Sequence, residues 1–262
     1  MRVLFVCSGN KSNNKPGVVV QNQANSLIKK GIHIDFFVIN KKGLFGYLGA
    51  ILPLRKKINC NEYNTVHAHY SLSGYVAGIA KALSSKKIKL VVSLMGSDTQ
   101  GHQKRTKTIR FFSKYFWNET IIKSISMSEN LKGTNFTVIP NGVDINCVKP
   151  STELVKRSKY ILFPADPKRD SKNYELAEHA VKKMKHKDYR MKILHHRPHS
   201  EIIDNLKTCS CVLVTSKWEG SPNIIKEAMA CNTPIVSTRV GDVEWLLKDL
   251  DGCFLADMSV DS

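Results

Sequence analysis

Acidic side chains are scarce in the first part of this 262-residue chain. Residues 1 to 150 hold 6 Asp+Glu against 22 Lys+Arg, a balance of +16, whereas residues 151 to 262 hold 16 against 18, a balance of +2. A half so short of carboxylates points to an anionic partner: phosphate, lipid head group or nucleic acid. No stretch approaches the roughly 18 to 20 apolar residues of a membrane-spanning helix. The opening Met1-Arg2-Val3-Leu4-Phe5-Val6 is too soon interrupted for a signal peptide, so the expectation is a cytoplasmic protein. The seven cysteines form an odd, scattered set with no pair at zinc spacing, and they read as reduced thiols. No short-period repeat or low-complexity tract appears, which disfavours a solenoid. Helix-turn-helix, zinc-finger and RNP patterns are also absent, so no nucleic acid is expected as partner.

What is present is apolar material for one large or two modest domains, at 42% hydrophobic content. Short β-branched runs alternate with amphipathic stretches of helix length from end to end, the pattern of parallel sheets with helical crossovers. Six strands are expected in the first half: 3–7, 33–39, 65–69, 89–94, 120–125 and 136–139. Five are expected in the second: 160–163, 190–194, 211–215, 234–237 and 253–256. The turn-rich passage from Asn141 to Ser151, followed by a charged helix start, suits a boundary. This gives α/β domains at 1–150 and 151–262.

One segment concentrates the chemistry. The strand Cys211 to Ser216 leads through Lys217-Trp218-Glu219-Gly220-Ser221-Pro222-Asn223 into a helix from Ile224 to Ala230. Ser221 suits the N-cap and Pro222 the first helical position. A Gly-containing turn at a helix N-terminus offers free backbone N–H groups and the positive end of the dipole, a seat for a diphosphate. Glu219 and Glu227 would flank it, and carboxylates accept hydrogen bonds from vicinal hydroxyls of sugar and ribose. By spacing alone the pair reads equally well as a surface Glu and an ordinary helical Glu.

The run from Glu219 to Val236 resembles the Glu, seven residues, Glu signature of retaining GT-B glycosyltransferases of the group 1, or family-four, type. Val240-Gly241-Asp242-Val243-Glu244 resembles that family's next turn. Further matches fall in the right order at Val66-His67-Ala68-His69, Leu94-Met95-Gly96-Ser97-Asp98 and Val138-Ile139-Pro140-Asn141-Gly142-Val143-Asp144. The resemblance implies a GT-B fold, two facing Rossmann-like domains with parallel sheets, acceptor on the first and donor on the second. It implies transfer of a hexosyl unit from a nucleotide-sugar with retention of configuration, and neither a metal nor any cofactor beyond that co-substrate. Carried over by position, Glu219 contacts the transferred sugar and Glu227 the ribose, and Gly220, Ser221, Pro222 and Asn223 seat the diphosphate. Lys172 fits the family's Lys that neutralises the leaving group.

Departures from the family pattern set the remaining questions. The usual Gly-Arg pair is absent, and Arg169 or Lys168 stands in for its Arg. Met95 replaces the family's common His. The first loop, Ser8-Gly9-Asn10 through Lys15-Pro16-Gly17-Val18, lacks a Gly pair, leaving Gly17 as the candidate for donor contact. The family continues past the equivalent of Asp257, so the second domain reads as cut short at its C-terminal end. His195, His196 and His199 read as a loop, because a metal site would need carboxylate or thiol company. His67 and His69 share one strand face, in the core or in the cleft between domains. Stretches 43–58 and 104–117 mix aromatic and basic residues, as interfacial helices do and as sheet-packed helices with solvated basic faces also do. The expectation is a glycosyltransferase acting on a saccharide or lipid-linked acceptor, peripheral at the inner membrane face. The rival reading is a non-catalytic sugar-nucleotide-binding or nucleic-acid-binding protein.

Overall fold

The computed structural model describes residues 1–9, 14–100, 103–151 and 157–262, with the side chains of 103, 104 and 130 outside that description. Asn10 of the first loop, the charged start after Ser151 and the Lys104 side chain therefore lie outside the described residues. All eleven expected strands form, most of them shifted by one to three residues at an end. In chain order they are β1 Arg2–Ser8, β2 His33–Ile39, β3 Thr65–His69, β4 Lys89–Ser93, β5 Glu119–Ile122, β6 Thr137–Val138, β7 Ser158–Phe163, β8 Arg190–Ile193, β9 Cys209–Val214, β10 Ile235–Thr238 and β11 Cys253–Ala256. The helices are α1 Val18–Ile28, α2 Gly43–Leu48, α3 Ile51–Cys60, α4 Ser71–Ala82, α5 Gly96–Thr99, α6 Gln103–Tyr115, α7 Tyr174–Lys183, α8 His199–Thr208, α9 Asn223–Ala230 and α10 Val243–Leu247.

The strands make two sheets, ordered β2-β1-β3-β4-β5-β6 and β11-β10-β9-β7-β8, with every recorded pairing parallel. Period-2 alternation explains why each sheet is apolar on both faces. In β1, Leu4 and Val6 enter one core while Val3, Phe5 and Cys7 enter the core on the other face. In the second sheet Leu162, Val212 and Val214 face one core, and Ile161, Phe163 and Leu213 the other. Each such side chain, fully buried, contributes about 1.5 to 3 kcal/mol. The chain is thus an α/β protein of two Rossmann-like units, as in the GT-B fold.

The compact units are Met1–Pro140 and Asn141–Ser262. The passage 141–150 lies with the second unit: Val148 is buried in its core, Val143 packs against it, and Lys226 donates to the Asn141 carbonyl at 2.9 Å. All seven cysteines are free thiols. Cys7, Cys209 and Cys231 are buried, while Cys60 and Cys147 are exposed.

Candidate active site

In the second sheet, β7 and β8 are neighbours, and the chain then crosses back so that β9 lies on the other side of β7. The gap between β7 and β9 is therefore a point where strand order reverses, and the carboxyl ends of strands flanking such a point form a crevice for ligands. The loop after β7 carries Lys172 and the loop after β9 carries Glu219. The two side chains meet as an ion pair, 17% and 18% exposed, and Ser216 Oγ donates to the same Glu219 oxygen, Oε1, at 2.9 Å. Backbone locking holds them there. Thr215 Oγ1 donates to the Lys172 and Asn173 carbonyls at 3.0 Å, and the Lys217 N–H donates to the Ser171 carbonyl at 2.9 Å. Asn173 takes a left-handed conformation, φ 51°, that turns the chain from the Asp170–Lys172 3₁₀ turn into α7.

The structure corrects the helix start by one residue. Pro222 occupies the N-cap of α9 and Asn223 is the first helical residue. Ser221 caps nothing, because its hydroxyl donates to Asp242 Oδ2 at 2.6 Å and accepts from Lys226 Nζ. Lys226 in turn lies 3.3 Å from Asp242 Oδ2, and both side chains are nearly buried. Burial pushes the Lys226 ammonium below the ordinary lysine pKa, and Asp242 opposes that shift. The network clamps the 219–223 loop to the turn at Asp242. Gly241 is required there: its φ is +61°, and a Cβ would sit 2.5 Å from the Gly220 carbonyl oxygen. Pro222 has no N–H, so the free donors at this helix start are those of its neighbours, including the first-turn amides of Asn223 and Ile224, which have no intrahelical acceptor. The Asn223 Oδ1 atom is buried without a hydrogen-bond partner among the described residues. Further along α9, Glu227 is buried and its Oε1 lies 2.8 Å from His199 Nε2 at the start of α8.

Other expected site residues are less engaged. Lys168 and Arg169 are exposed, and their side chains contact neither Glu219 nor Lys172 among the described interactions. Gly17 is the N-cap of α1 in the first unit, with φ −64° and nothing within 4 Å of a Cβ, so its backbone does not demand glycine. The three-histidine run splits. His199 serves Glu227, whereas His195 and His196 approach Asp166, the carboxylate company that the sequence did not reveal. The ligand atoms of that trio lie within 4.8 Å of one another. The Lys168 N–H donates to Asp166 and, with the two histidines, holds its carboxyl below the usual range.

In the first unit His67 and His69 are buried and stacked, centroids 4.3 Å apart, with Phe5 against both. His67 Nε2 reaches Ser93 Oγ at 2.8 Å, whereas neither ring nitrogen of His69 has a hydrogen-bond partner among the described residues. Burial, reinforced by Lys123, lowers the His67 pKa to about 3 and takes His69 well below its usual value, with His67 adding to the latter. Asp98 is buried too, raised to about 6 by desolvation although the Met95 and Ser71 amides donate to it. The aromatic-basic stretches form α2, α3 and α6. They bury Leu54, Ile58 and Ile109 but leave Leu44, Phe45, Leu52, Phe111 and Tyr115 exposed, Phe45 by 87%. Among the described residues no helix is long and apolar enough to cross a membrane.

Residues 156–261 match the family profile described as "Glycosyl transferases group 1", and residues 16–126 match "Glycosyl transferase 4-like". An uncharacterized glycosyltransferase of Methanocaldococcus jannaschii is 26% identical over 250 residues, covering 86% of this chain and 69% of that protein. Among solved structures, sucrose-phosphate synthase of Thermosynechococcus elongatus superposes with a TM-score of 0.81 at 13% identity, covering all of this chain and 87% of that one. HepE of Anabaena, solved with UDP and glucose, gives 0.74 at 18% identity, over 98% of this chain and 86% of that one. These likenesses at low identity speak to the fold, and the profiles that match each half speak to the family. With two Rossmann-like sheets and the Glu219 to Glu227 segment set at a strand-order reversal, the chain belongs to the group 1 glycosyltransferases of GT-B fold.

Proposed function

We propose that this glycosyltransferase moves a hexosyl unit from a nucleotide-sugar to a saccharide or lipid-linked acceptor with retention of configuration. The observation that carries this reading is the Lys172–Glu219 pair at the β7/β9 crevice, with Glu219 on the loop that opens into α9 and Glu227. A diphosphate seated on the 220–223 turn would lie between a carboxylate suited to sugar hydroxyls and one suited to ribose hydroxyls. The UDP and glucose held by the Anabaena relative make a uridine diphosphate-sugar the first donor to test.

In the reaction, the bond from the anomeric carbon to the diphosphate oxygen breaks and a bond to the acceptor oxygen forms on the same face. The acceptor's proton passes to the departing diphosphate, so no protein nucleophile is needed. Lys172 and the N-terminus of α9 supply fixed positive charge where negative charge develops, which lowers the barrier because the dipoles are in place beforehand. The exposed cations and aromatics of α2, α3 and α6 fit docking on an anionic membrane at its inner face, where a lipid-linked acceptor would be met.

The test is thermal stability against UDP-, GDP- and ADP-sugars in the presence of a chelator, followed by donor turnover. One nucleotide series should raise the melting temperature without added metal. Glu227→Ala should weaken that binding, and Glu219→Ala should lower turnover more than affinity. Strict dependence on magnesium or manganese, or no effect of either substitution, would overturn the assignment.

A further inference from the structure

The Glu227 carboxylate is buried on α9, its side chain 11% exposed, and among the described residues its hydrogen-bond and ion-pair partner is His199. A carboxylate removed from water needs a donor, since burial without one costs several kcal/mol. An ionised carboxylate can only accept, so the proton in the 2.8 Å contact belongs to His199 Nε2. That holds whether the imidazole is neutral or charged. His199 is the first residue of α8, which packs against α9. The contact is therefore made by one helix start on the side chain of another, at the carboxyl rim of the sheet.

We infer that His199 is a positioning residue for the ribose of the donor: Nε2–H fixes Glu227 Oε1, leaving Oε2 oriented to accept from the ribose hydroxyls. This rests on the reading of Glu227 as the ribose contact. Without the imidazole, the carboxylate is free to rotate about its last torsion and to be solvated, and the preference for a ribose over a deoxyribose nucleotide weakens. Imidazole charge is not required, so glutamine, whose amide can place an N–H near the position of Nε2, substitutes for it.

A purely structural clip between α8 and α9 would change stability and affinity without regard to the sugar hydroxyls. Calorimetric titration with UDP and 2′-deoxy-UDP separates the two, with the GDP and ADP pairs run alongside so that base preference does not decide the result. The parent protein should favour the ribonucleotide by at least about tenfold, the share expected of a hydrogen bond to a charged acceptor. His199→Ala should bring that ratio to within about twofold of unity while binding of the deoxynucleotide changes little. His199→Gln should restore most of it, and in a Glu227→Ala background His199→Ala should add nothing. If the alanine chain does not fold, His199→Met fills similar volume without a donor and gives the same comparison. A ratio preserved in the donorless variant, or equal loss for both nucleotides, overturns the role of His199. A ratio of one in the parent protein, with Glu227→Ala silent, overturns instead the ribose assignment of Glu227.

Discussion

In the second unit the ionisable side chains near the strand ends face partners: Lys172 meets Glu219, Lys226 meets Asp242, and His199 meets Glu227. In the first unit the buried ionisable groups are arranged otherwise. His67 and His69 stack on each other and are held neutral by burial, and Asp98 meets backbone amides. Yet the first 150 residues carry nearly all of the net charge. Net charge and paired charge are thus separated in this protein. The surplus cations of the first unit include those of α3 and α6, while the nearly neutral second unit holds its charges near the strand ends as pairs.

The sharpest way to break this contrast is to unpair a buried charge in the second unit. Lys226→Ala leaves Asp242 buried without its cation, and such a loss costs about 3 to 5 kcal/mol. Denaturant unfolding should show it as a lower midpoint, and donor binding should weaken because the clamp on the 219–223 loop is gone. A midpoint unchanged from the parent would mean that the network contributes nothing. Next in size is Lys172→Ala, which should slow transfer by at least about tenfold, or about 1.4 kcal/mol of barrier. Unchanged turnover in single-turnover assays would move the role to Arg169 or Lys168.

Acid should separate the units from the other side. The unfolded histidines take up protons near 6.5 and folded His67 only near 3, so between those values the unfolded state binds more protons. The stability from His67 is complete above pH 6.5 and is lost as pH falls toward 3, and His69 acts in the same sense. Asp98 works in reverse: its folded form holds a proton up to about pH 6, so it restores stability as pH falls toward 3.8. Two histidines against one aspartate leave a net loss. Hydrogen exchange at pH 7 and pH 5, corrected for intrinsic rates, should show β3 and β4 losing protection relative to β9 and β10. Equal loss in both units would erase the distinction.

The smallest effect expected is at the surface. Each cation of α3 and α6 that nears anionic head groups contributes roughly 1 kcal/mol, and the attraction decays within a Debye length of about 8 Å at physiological ionic strength. Co-sedimentation with vesicles should rise with anionic lipid and fall with salt. Binding to nucleic acid without binding to such vesicles would give the basic surface a different partner.

The order of elements and their type follow from local pattern. Continuous apolar runs such as Val3 to Cys7 and Cys211 to Val214, bounded by turn residues and alternating with helix-length stretches, fit strands buried on both faces of a parallel sheet, so they were readable from local sequence. The Glu219 to Glu227 segment was readable for the same reason, since its spacing is covalent and its turn and helix are short-range. The N-cap was not. Whether Ser221 caps α9 depends on Asp242, 21 residues away, which takes its hydroxyl. Lys172 and Glu219 are 47 residues apart, and His199 and Glu227 are 28 apart. Such pairs exist only because β9 lies beside β7 and α8 packs on α9. The sequence by itself determined which side chains stand at the carboxyl ends of which strands. Only the tertiary structure decided which of them meet, because contact between distant residues depends on strand order and helix packing that no local period encodes.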